Sequence, residues 1–509
     1  MNLRILIILT LYLISCGSDI EETPIELLFN SPHYLDSPSE ESSSVAGRSL
    51  VDLINGANHS IYFAIYGIRN QPEVLNALLQ AKNRGLEVYG IVDKDLSNNN
   101  YYSGTEELIE KLGVIKDDYH SDLDYDKNNY QYVSKPYWEK PIGFDGPPST
   151  VGYSIDDQTA MISVQASKNI ISFQGNIMHN KFFVFDNRKV WTGSTNVSDS
   201  GTGGYNANIS AIIRSEEIAT LYIDEFNQMY REGKFHNTKS LRSDLVKFNE
   251  NNKVKLYFSP QTKVLTEKII PLIDSAKETI NVSVFFLTHK GVAGALIDAH
   301  RRGVEVRVII DASGASNEYT KYQFLRIAGI PLKIENWGGK LHSKAASIDQ
   351  NILILGSMNW TSAGENINDE NTLIIHDSKL VEEYDSFFNE IWNSIPDVWL
   401  RNRPSAESPA SIKSCFDGID NNYDDRIDSL DLNCKNQSNI VNELPPIYIV
   451  QKEEGSGLIK GNISKNGNKI YHLPNQKYYD RVKVDLNRGE YFFANENEAR
   501  KLGFRKSKI

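Results

Sequence analysis

The sequence has few cysteines and, beyond its first residues, no long apolar run. It contains 3 cysteines in 509 residues, so at least one has no disulfide partner within the chain. After residue 16 no apolar stretch is long enough to cross a bilayer as a helix, which excludes a later transmembrane helix. The composition, 24% charged and 40% hydrophobic, allows several domains with sizeable cores.

The N-terminus has the features of an export signal. Arg4 precedes an apolar run over residues 5–14, which is too short to span a membrane as a mature helix. The run leads into LISCG, which resembles the bacterial lipobox, whose cysteine becomes the acylated first residue of the mature protein. We predict a signal peptide over residues 1–15 and an exported bacterial lipoprotein, anchored at the outer membrane or cell surface through acylated Cys16. A plain secretory signal is the alternative.

Residues 16–45 are rich in Ser, Pro and Glu, as in the stretch SPHYLDSPSEESSS. This composition is typical of a flexible tether. We expect this tether to hold the rest of the chain off a membrane.

One motif occurs twice in the same register. Both copies have the spacing HxKxxxxD, followed by an apolar run and then by Gly, Ser and Asn. The shared positions are His179, Lys181, Asp186, Gly193, Ser194 and Asn196 in the first copy, and His342, Lys344, Asp349, Gly356, Ser357 and Asn359 in the second. One HxK could arise by chance in an alternating strand. Two copies that agree at six positions point to shared chemistry.

At these residues the chain resembles the phospholipase D superfamily, whose paired HKD motifs they match. A neutral imidazole can attack phosphorus, and a protonated one can donate to the leaving oxygen. The resemblance implies a covalent phosphohistidine on one histidine and acid–base work by the other, with no metal needed for the chemistry. By analogy we assign His179 as the nucleophile and His342 as the acid, although the sequence alone leaves their order open.

The resemblance also assigns the other motif residues. Asp186 and Asp349 are expected to orient or structure the motif rather than to react. The remaining side chains are expected to bind phosphate, where negative charge develops in the transition state. These are Lys181, Lys344, Ser194, Asn196, Ser357 and Asn359.

The sequence around the motifs predicts a duplicated α/β fold. In the first half, periodicity predicts a helix over 50–54, a strand over 61–66, a helix over 72–83 and a strand over 88–92. The second half repeats this βαβ pattern, with GLEV at 85–88 matching GVEV at 303–306. We predict two phospholipase D-like α/β/α halves over 46–240 and 250–398. Since both motifs are in one chain, a monomer is sufficient for a complete site.

The first half carries an insertion of roughly 55 residues between its second strand and its motif. It is rich in Tyr, Asp and Pro and contains Trp138. Long loops in compact domains are usually functional or disordered. We interpret this one as a lid or substrate loop, with disorder as the alternative.

An acidic residue follows the second motif but not the first. Glu370, in the run Asn368-Asp369-Glu370, resembles the family's downstream acid, which hydrogen-bonds a catalytic histidine and holds its tautomer. The first half has Asn206-Ala207-Asn208 at that place. The missing carboxylate either makes the two histidines inequivalent or slows the enzyme.

Past Trp392, residues 395–411 read as a Pro/Ser linker, and an Asp-rich segment follows between two cysteines. With Cys16 acylated, Cys415 and Cys434 remain, and in an oxidising compartment we expect them to form a local disulfide. The spacing between them matches the oxygen ligands of a calcium loop, at Asp420, Asn422, Asp424, Asp428 and Asp431. We predict a structural Ca²⁺ in a disulfide-closed repeat over 405–440. Position 6 is Asp425 instead of Gly, and a solvated acidic linker is the alternative.

The last residues, 455–509, resemble the small terminal module of the alkylation-repair protein Ada, a form of which is appended to several secreted nucleases. Gln476 and Phe493 stand where that family often has Cys, so zinc binding is doubtful. Residues 460–509 hold 12 Lys/Arg and 5 Asp/Glu, a net charge of +7, whereas the whole chain has −12. A basic module on an acidic body suits a polyanion or anionic headgroups.

These features predict a phosphodiesterase of the phospholipase D superfamily that acts on phospholipid or nucleic acid. The motifs do not choose between the substrates, because both present the same phosphodiester. The basic module favours DNA, and the anchor and the acidic body favour lipid. A surface adhesion protein with an inactive core is the alternative from another class.

Overall fold

The computed structural model describes residues 24–31, 37–94, 100, 102–117, 150–155, 158–163, 177–241, 245–247, 253–317, 319–436, 440–441, 447–450, 459–474, 476–482, 490–493 and 496–508. The predicted signal peptide, Cys16 and most of the insertion, including Trp138, lie outside these ranges. Within them, no helix is both long and apolar enough to span a bilayer.

The first half is an α/β unit whose elements largely match the periodicity. Its elements are β1 (Ile25–Asn30), α1 (Val45–Gly56), β2 (Ser60–Ile65), β3 (Ile68–Arg69), α2 (Pro72–Asn83), β4 (Glu87–Val92), α3 (Thr105–Leu112), β5 (Ile115–Lys116), β6 (Thr150–Ile155), β7 (Gln158–Ser163), β8 (Lys181–Phe185), β9 (Lys189–Gly193), β10 (Val197–Ser198), β11 (Asn208–Arg214) and α4 (Glu216–Tyr230). The bounds of α2 agree with the prediction because Pro72 occupies its first turn, where proline is favoured, and Gly85 follows with φ +90°.

The first strand corrects the predicted tether. β1 pairs antiparallel with β11, with Ile25 opposite Ile213, and buries Ile25, Leu27 and Leu28. The sheet runs β1-β11-β9-β8-β2-β4-β5. A flexible tether over all of 16–45 is therefore wrong, since residues 25–30 belong to the fold. The apolar residues that form this strand are few and lie beside a strongly polar stretch. The composition of the whole region therefore predicted a tether instead of a strand.

The second half repeats the first. Its elements are β12 (Leu245–Lys247), β13 (Lys253–Ser259), α5 (Ile270–Ser275), β14 (Thr279–Val284), α6 (Lys290–Arg301), β15 (Glu305–Ile310), α7 (Ala312–Ser316), α8 (Tyr322–Ile327), β16 (Leu332–Ile334), β17 (Lys344–Ile348), β18 (Ile352–Gly356), α9 (Ser362–Asn366), β19 (Glu370–His376) and α10 (Ser378–Ser394). Its sheet order, β12-β13-β19-β18-β17-β14-β15-β16, matches that of the first sheet with one added edge strand, β12. The predicted duplicated α/β fold is confirmed.

A hydrophobic core shared by both halves lies between the two sheets. It combines side chains of β8, β9 and α4 with side chains of β18, β19 and α10. Separate outer cores lie between the first sheet and helices α1 and α2, and between the second sheet and helices α5 and α6. Because the inner core needs both halves, the two units are packed as one body and their motif strands face each other.

The predicted linker over 395–411 is wrong, because the segment packs on the second half. Trp399 and Glu407 are buried. The backbone N–H of Ile412 donates to the carbonyl oxygen of Asn336 at 2.7 Å. The backbone N–H of Gly338 donates to the carbonyl oxygen of Ile412, also at 2.7 Å. Prolines and serines here mark an irregular but ordered connection.

Four short elements and a small terminal module complete the described chain. The elements are β20 (Arg403–Pro404), α11 (Leu432–Asn436), β21 (Ile440–Val441), β22 (Ile447–Val450), β23 (Ile459–Ile463), β24 (Lys469–His472), β25 (Tyr491–Phe493), α12 (Glu496–Lys501) and β26 (Arg505–Lys506). In the terminal module, Phe493 lies in a small apolar core with Tyr471 and Phe504. Gln476 accepts a hydrogen bond from the backbone of Leu473 at 2.8 Å. Both positions thus have structural roles, and the likeness to the Ada module stays a prediction.

Candidate active site

The two HxK motifs lie at the starts of equivalent strands. β8 begins at Lys181 and β17 at Lys344, each two residues after its histidine. Residues two apart in an extended chain share one face. Burial, together with the charges of Lys181 and Lys344, lowers the pKa of both His179 and His342. The structure thus brings the four predicted side chains into one site between the halves.

Each histidine is held by the backbone of the opposite half. The N–H of His179 donates to the carbonyl oxygen of Asp369 at 2.9 Å, and the N–H of His342 donates to that of Ala207 at 2.8 Å. The backbone N–H groups of Asp369 and Ala207 donate hydrogen bonds in the opposite direction, which completes two short parallel β-bridges between the halves. The two histidines are therefore aligned by contacts between the halves, and neither half alone contains all of these contacts.

Two aspartates that the sequence analysis did not assign support the same loops. The backbone N–H of Met178 donates to Asp93 at 2.8 Å, and that of Leu341 donates to Asp311 at 2.9 Å. Both carboxylates follow equivalent strands, β4 and β15, and both fix the residue before a histidine. Their matching place after GLEVYGIV and GVEVRVII was a visible signal for this role.

The side chains of the two histidines have different partners. Nδ1 of His179 lies 2.9 Å from both carboxylate oxygens of Glu370. Nδ1 of His342 instead lies 3.0 Å from the carbonyl oxygen of Ser194 and 3.2 Å from Oδ1 of Asn208. Asn208 occupies the position in the first half that Glu370 occupies in the second. The expected inequivalence is thus present in the hydrogen bonding: one imidazole faces a carboxylate and the other faces only neutral oxygens.

The hydroxyls of Ser194 and Ser357 have partners within the protein. The Ser357 hydroxyl donates to Glu370 at 2.6 Å. The Ser194 hydroxyl donates to Asn208 at 2.9 Å. A hydroxyl has one proton to give, and in this structure both serines give it to the histidines' partners, so their phosphate-binding role stays a prediction.

The phosphate-binding role of Asn196 and Asn359 stays a prediction. Asn196 is buried and Asn359 is partly buried. In the part of the chain that the structure describes, Oδ1 of each side chain has no hydrogen-bond partner. Oδ1 accepts hydrogen bonds, as phosphate oxygens do, so only the Nδ2–H groups of these amides could donate to a phosphate.

Asp186 and Asp349 lie in tight turns, away from the histidines. Asp186 and Asn187 both have positive φ, 51° and 57°, which Asp and Asn tolerate in hairpin turns. The Asp186 carboxylate accepts backbone hydrogen bonds from 58–60, and Asp349 does the same from 277–279. Each ties its hairpin to the start of the neighbouring strand, β2 in the first half and β14 in the second. This agrees with an orienting role.

The centre of the site holds buried cations. Burial lowers the pKa of Lys181 to about 7, partly offset by Glu370 and Asp93. Burial and the charge of Lys181 lower that of Lys344 well below its usual value. Burial raises the pKa of Glu370 to about 8, against the pull of Lys181. Such perturbed groups gathered in one place are typical of functional sites, and two neighbouring lysine side chains are suited to an anionic ligand.

A second buried charge cluster, which the sequence did not reveal, supports the backbone that holds His179. Lys239 lies 2.6 Å and His236 lies 3.0 Å from the carboxylate of Asp369. Although burial acts against ionisation, these two cations lower the pKa of Asp369. An ionised Asp369 is thereby anchored next to Glu370.

The Asp-rich segment packs against residues that lie close to His342 and Asn208 in the chain. Cys415 and Cys434 form a disulfide with a Cα–Cα distance of 5.8 Å. Nζ of Lys340 donates to the carbonyl oxygen of Asn421 at 2.6 Å, and the Tyr205 hydroxyl donates to Asp417 at 2.8 Å. The predicted repeat is therefore part of the catalytic body.

The predicted calcium ligands bind the segment's own backbone and side chains. Asp420 accepts from the N–H groups of Asp424 and Asp425. Asp424 accepts from the backbone of Arg426, and Asp428 from that of Asp417 and Gly418. Asn422 donates to Asp431 at 2.8 Å. Across the described ranges, no group of three or more His, Cys, Asp or Glu side chains is arranged to hold a metal ion. Calcium binding stays a prediction.

Comparison with known families and proteins gives matches over both halves. The family model described as "Cardiolipin synthase, PLD-like domain" matches residues 50–230 and 269–392, together more than half of the chain. A phospholipase D from Rickettsia felis is 35% identical over 155 residues, which are 29% of this chain and 77% of that protein.

Two further relatives are more distant. A mitochondrial cardiolipin hydrolase from Chlamydomonas reinhardtii is 29% identical over 132 residues, 26% of this chain and 59% of that protein. The solved structure of a phospholipase D family member, Nuc from Salmonella typhimurium, is 29% identical and covers 28% of this chain and 97% of that chain, with a TM-score of 0.27. The alignments to both sequence relatives span only part of each relative.

Proposed function

This chain belongs to the phospholipase D superfamily, and we propose that it hydrolyses a phosphodiester bond of phospholipids through a covalent phosphohistidine. The observation that carries the proposal is the pair of histidines, each held by the opposite half, beside two buried lysines. The names of the sequence relatives, phospholipase D and cardiolipin hydrolase, favour a lipid substrate.

We propose that the reaction begins at His179. With its Nδ1–H donated to Glu370, the other ring nitrogen keeps its lone pair and attacks phosphorus. The bond to the leaving alcohol breaks as protonated His342 gives that oxygen its proton. In the second step His342 takes a proton from water, the resulting hydroxide attacks phosphorus, and the phosphorus–nitrogen bond breaks to restore His179.

The different partners of the histidines support this order. Phosphorylated His179 carries a cationic ring, which the carboxylate of Glu370 stabilises. His342 faces the neutral oxygens of Ser194 and Asn208, so its protonated form gains less and gives up its proton more readily. A bound phosphodiester adds an anion beside the buried Lys181 and Lys344, which keeps both lysines charged where phosphoryl charge develops.

The mechanism predicts a pH profile that depends on Glu370. It needs Glu370 ionised and both Lys181 and His342 protonated. Burial raises the pKa of Glu370 to about 8, whereas burial lowers the pKa of Lys181 to about 7 and that of His342 well below its usual value. Acid removes the carboxylate and alkali removes the protons of His342 and Lys181, so kcat/KM should be bell-shaped with its maximum below about pH 8. In Glu370→Gln the acid limb should disappear and kcat should fall by about 10²-fold.

A matched control for the pH experiment is Glu365→Gln. Glu365 is also a buried glutamate and lies 3.2 Å from a histidine, His289, outside the site. This variant should keep both limbs of the profile. If the acid limb survives in Glu370→Gln, it belongs to the titration of a different group. The proposed roles of the two histidines would then lose their basis.

Nucleic acid is the second candidate substrate, and the basic terminal module favours it. Residues 460–509 carry a net charge of +7 on an otherwise acidic chain. Lysines and arginines that contact a nucleic-acid backbone release counterions, so binding weakens steeply with salt. The same charge can also contact anionic headgroups.

A parallel assay decides between the substrates. The chain from Ser18 onward is incubated with phospholipid vesicles and with plasmid DNA, in the presence of EDTA, with His342→Ala as the inactive control. We expect headgroup release from vesicles and intact plasmid. Plasmid cleavage without headgroup release would reject the lipid substrate.

Deleting 460–509 separates recruitment from catalysis in the same assay. With nucleic acid as substrate, the deletion should raise KM for long DNA and flatten its salt dependence. Hydrolysis of a small chromogenic phosphodiester should stay unchanged.

We also propose export and anchoring through acylated Cys16. Only residues 17–24 separate that cysteine from β1, and eight extended residues span at most about 29 Å. An anchor of this length keeps the catalytic body next to the bilayer that supplies the substrate.

A further inference from the structure

The exposed large hydrophobic residues of the described chain are concentrated in the segment 411–436, here called the disulfide loop. Phe416 is 87% exposed and Leu430 61%. Four more side chains of this loop are also exposed, namely Ile412, Tyr423, Ile427 and Leu432. Exposed apolar residues scattered singly are ordinary, whereas a contiguous group marks an interaction surface.

The loop buries polar side chains and exposes apolar ones, the reverse of ordinary folding. Asp417, Asn421 and Asp431 are buried, and the carboxylates accept hydrogen bonds from the loop's own backbone. The carboxylates therefore replace an apolar core as the groups that hold this segment together. The exposed side chains of Phe416 and Leu430 contribute little to its folding and are available to a partner.

The loop presents these side chains on a fixed backbone. The disulfide between Cys415 and Cys434 closes it. Four of its non-glycine residues have positive φ, between 49° and 70°, namely Lys413, Tyr423, Asp425 and Asp428. Such conformations persist only where surrounding contacts over-determine them. A preorganised apolar surface binds at a smaller entropic cost than a mobile one.

The loop contacts the segments that carry His342 and its partner Asn208. Lys340, two residues before His342, donates to Asn421, and its ammonium lies 5.0 Å from the ring centroid of Tyr423. Tyr205, three residues before Asn208, donates to Asp417. The loop thus contacts both segments that lead to His342 and to its partner.

We propose that the disulfide loop docks on the surface of a phospholipid bilayer, with its apolar side chains entering the boundary between headgroups and acyl chains. The proposal rests on the proposed lipid substrate: docking through a loop that contacts the segments carrying His342 and Asn208 would bring headgroups close to the histidines. Amphipathic and aromatic side chains are suited to that boundary. The loop has six Asp against three Lys/Arg, so we expect it to prefer zwitterionic over anionic lipid.

The test compares a variant in the loop with a matched one outside it. The chain from Ser18 onward contains every residue that the structure describes. In Phe416→Ser/Leu430→Ser, we expect co-sedimentation with phosphatidylcholine vesicles, and vesicle hydrolysis, to fall at least about tenfold. Leu241→Ser is the control, because Leu241 is also 61% exposed but lies outside the loop. It should bind like the unmodified chain.

A monomeric short-chain phosphatidylcholine separates docking from catalysis, because it reaches the site without a surface. Its hydrolysis should be the same in the double variant and in the unmodified chain. Vesicle binding that is absent, or equal in all three proteins, would overturn the docking proposal whatever the activity. A melting temperature lowered by the double substitution, with vesicle binding unchanged, would identify another segment of this chain as the occupant and overturn it as well. Loop-dependent binding without hydrolysis of either lipid would instead reject the proposed substrate.

Discussion

His179→Ala should lose turnover completely, whereas His342→Ala should release one equivalent of product and then stall. With a chromogenic phosphodiester whose leaving group needs no proton, attack by His179 proceeds without the acid. The covalent phosphohistidine then accumulates, because His342 is not there to activate water. Stopped-flow absorbance should show a burst of about one product per enzyme in His342→Ala and none in His179→Ala. Steady-state rates should fall by at least about 10³-fold in both.

The burst also tests the assignment of the two histidines. A burst in His179→Ala and none in His342→Ala would reverse the roles. The absence of a burst in both variants would contradict the proposed covalent intermediate. His236→Ala is not a suitable control, because His236 supports the backbone at Asp369. His300→Ala serves better, since that residue lies on α6, outside the site, and should leave the rate unchanged.

Lys344→Met should lower kcat/KM by about 10²–10³-fold, as expected for removal of one preorganised group that stabilises transition-state charge. The same substitution should raise the melting temperature. Burial and Lys181 hold the pKa of Lys344 well below its unfolded value, so at neutral pH its charge opposes folding, and an apolar residue of similar size removes that cost. Activity and thermal unfolding should therefore change in opposite directions.

Lys333→Met is the matched control for that experiment. Lys333 is also a buried lysine, but its ammonium donates to the carbonyl oxygens of Trp392 and Ile395 and pairs with Asp397. Its loss should lower the melting temperature and leave kcat/KM within about twofold. A melting temperature that falls in Lys344→Met as it does in Lys333→Met would show that the site's lysines are neutralised in the free protein.

Local patterns of the sequence predicted the parts of the fold that depend on neighbouring residues. The helix over 72–83 was found because proline at its start and glycine after its end mark both boundaries. The duplicated fold followed from two copies of one motif and two copies of one strand pattern. These signals are periodic and short-range, so they can be seen without knowing how the two halves pack.

The parts that were missed depend on contacts between distant residues. Ser194 and Ser357 were taken for phosphate ligands because each follows its own motif, yet their hydroxyls hold Asn208 and Glu370. β1 was taken for tether because its partner residues in β11 lie 178 to 188 residues away in the chain. The Pro/Ser segment before Cys415 was taken for a linker because nothing in its composition reveals that it packs near Asn336.

The exchange of contacts between the halves has a consequence for symmetry. A pair of identical subunits related by a two-fold axis must give both histidines the same partner, since any change in one copy appears in the other. In this chain the copies are joined covalently, so position 208 can be Asn while position 370 is Glu. A duplicated and fused chain can therefore specialise its two histidines, one for attack and one for proton transfer, which a symmetric dimer of either half could not do.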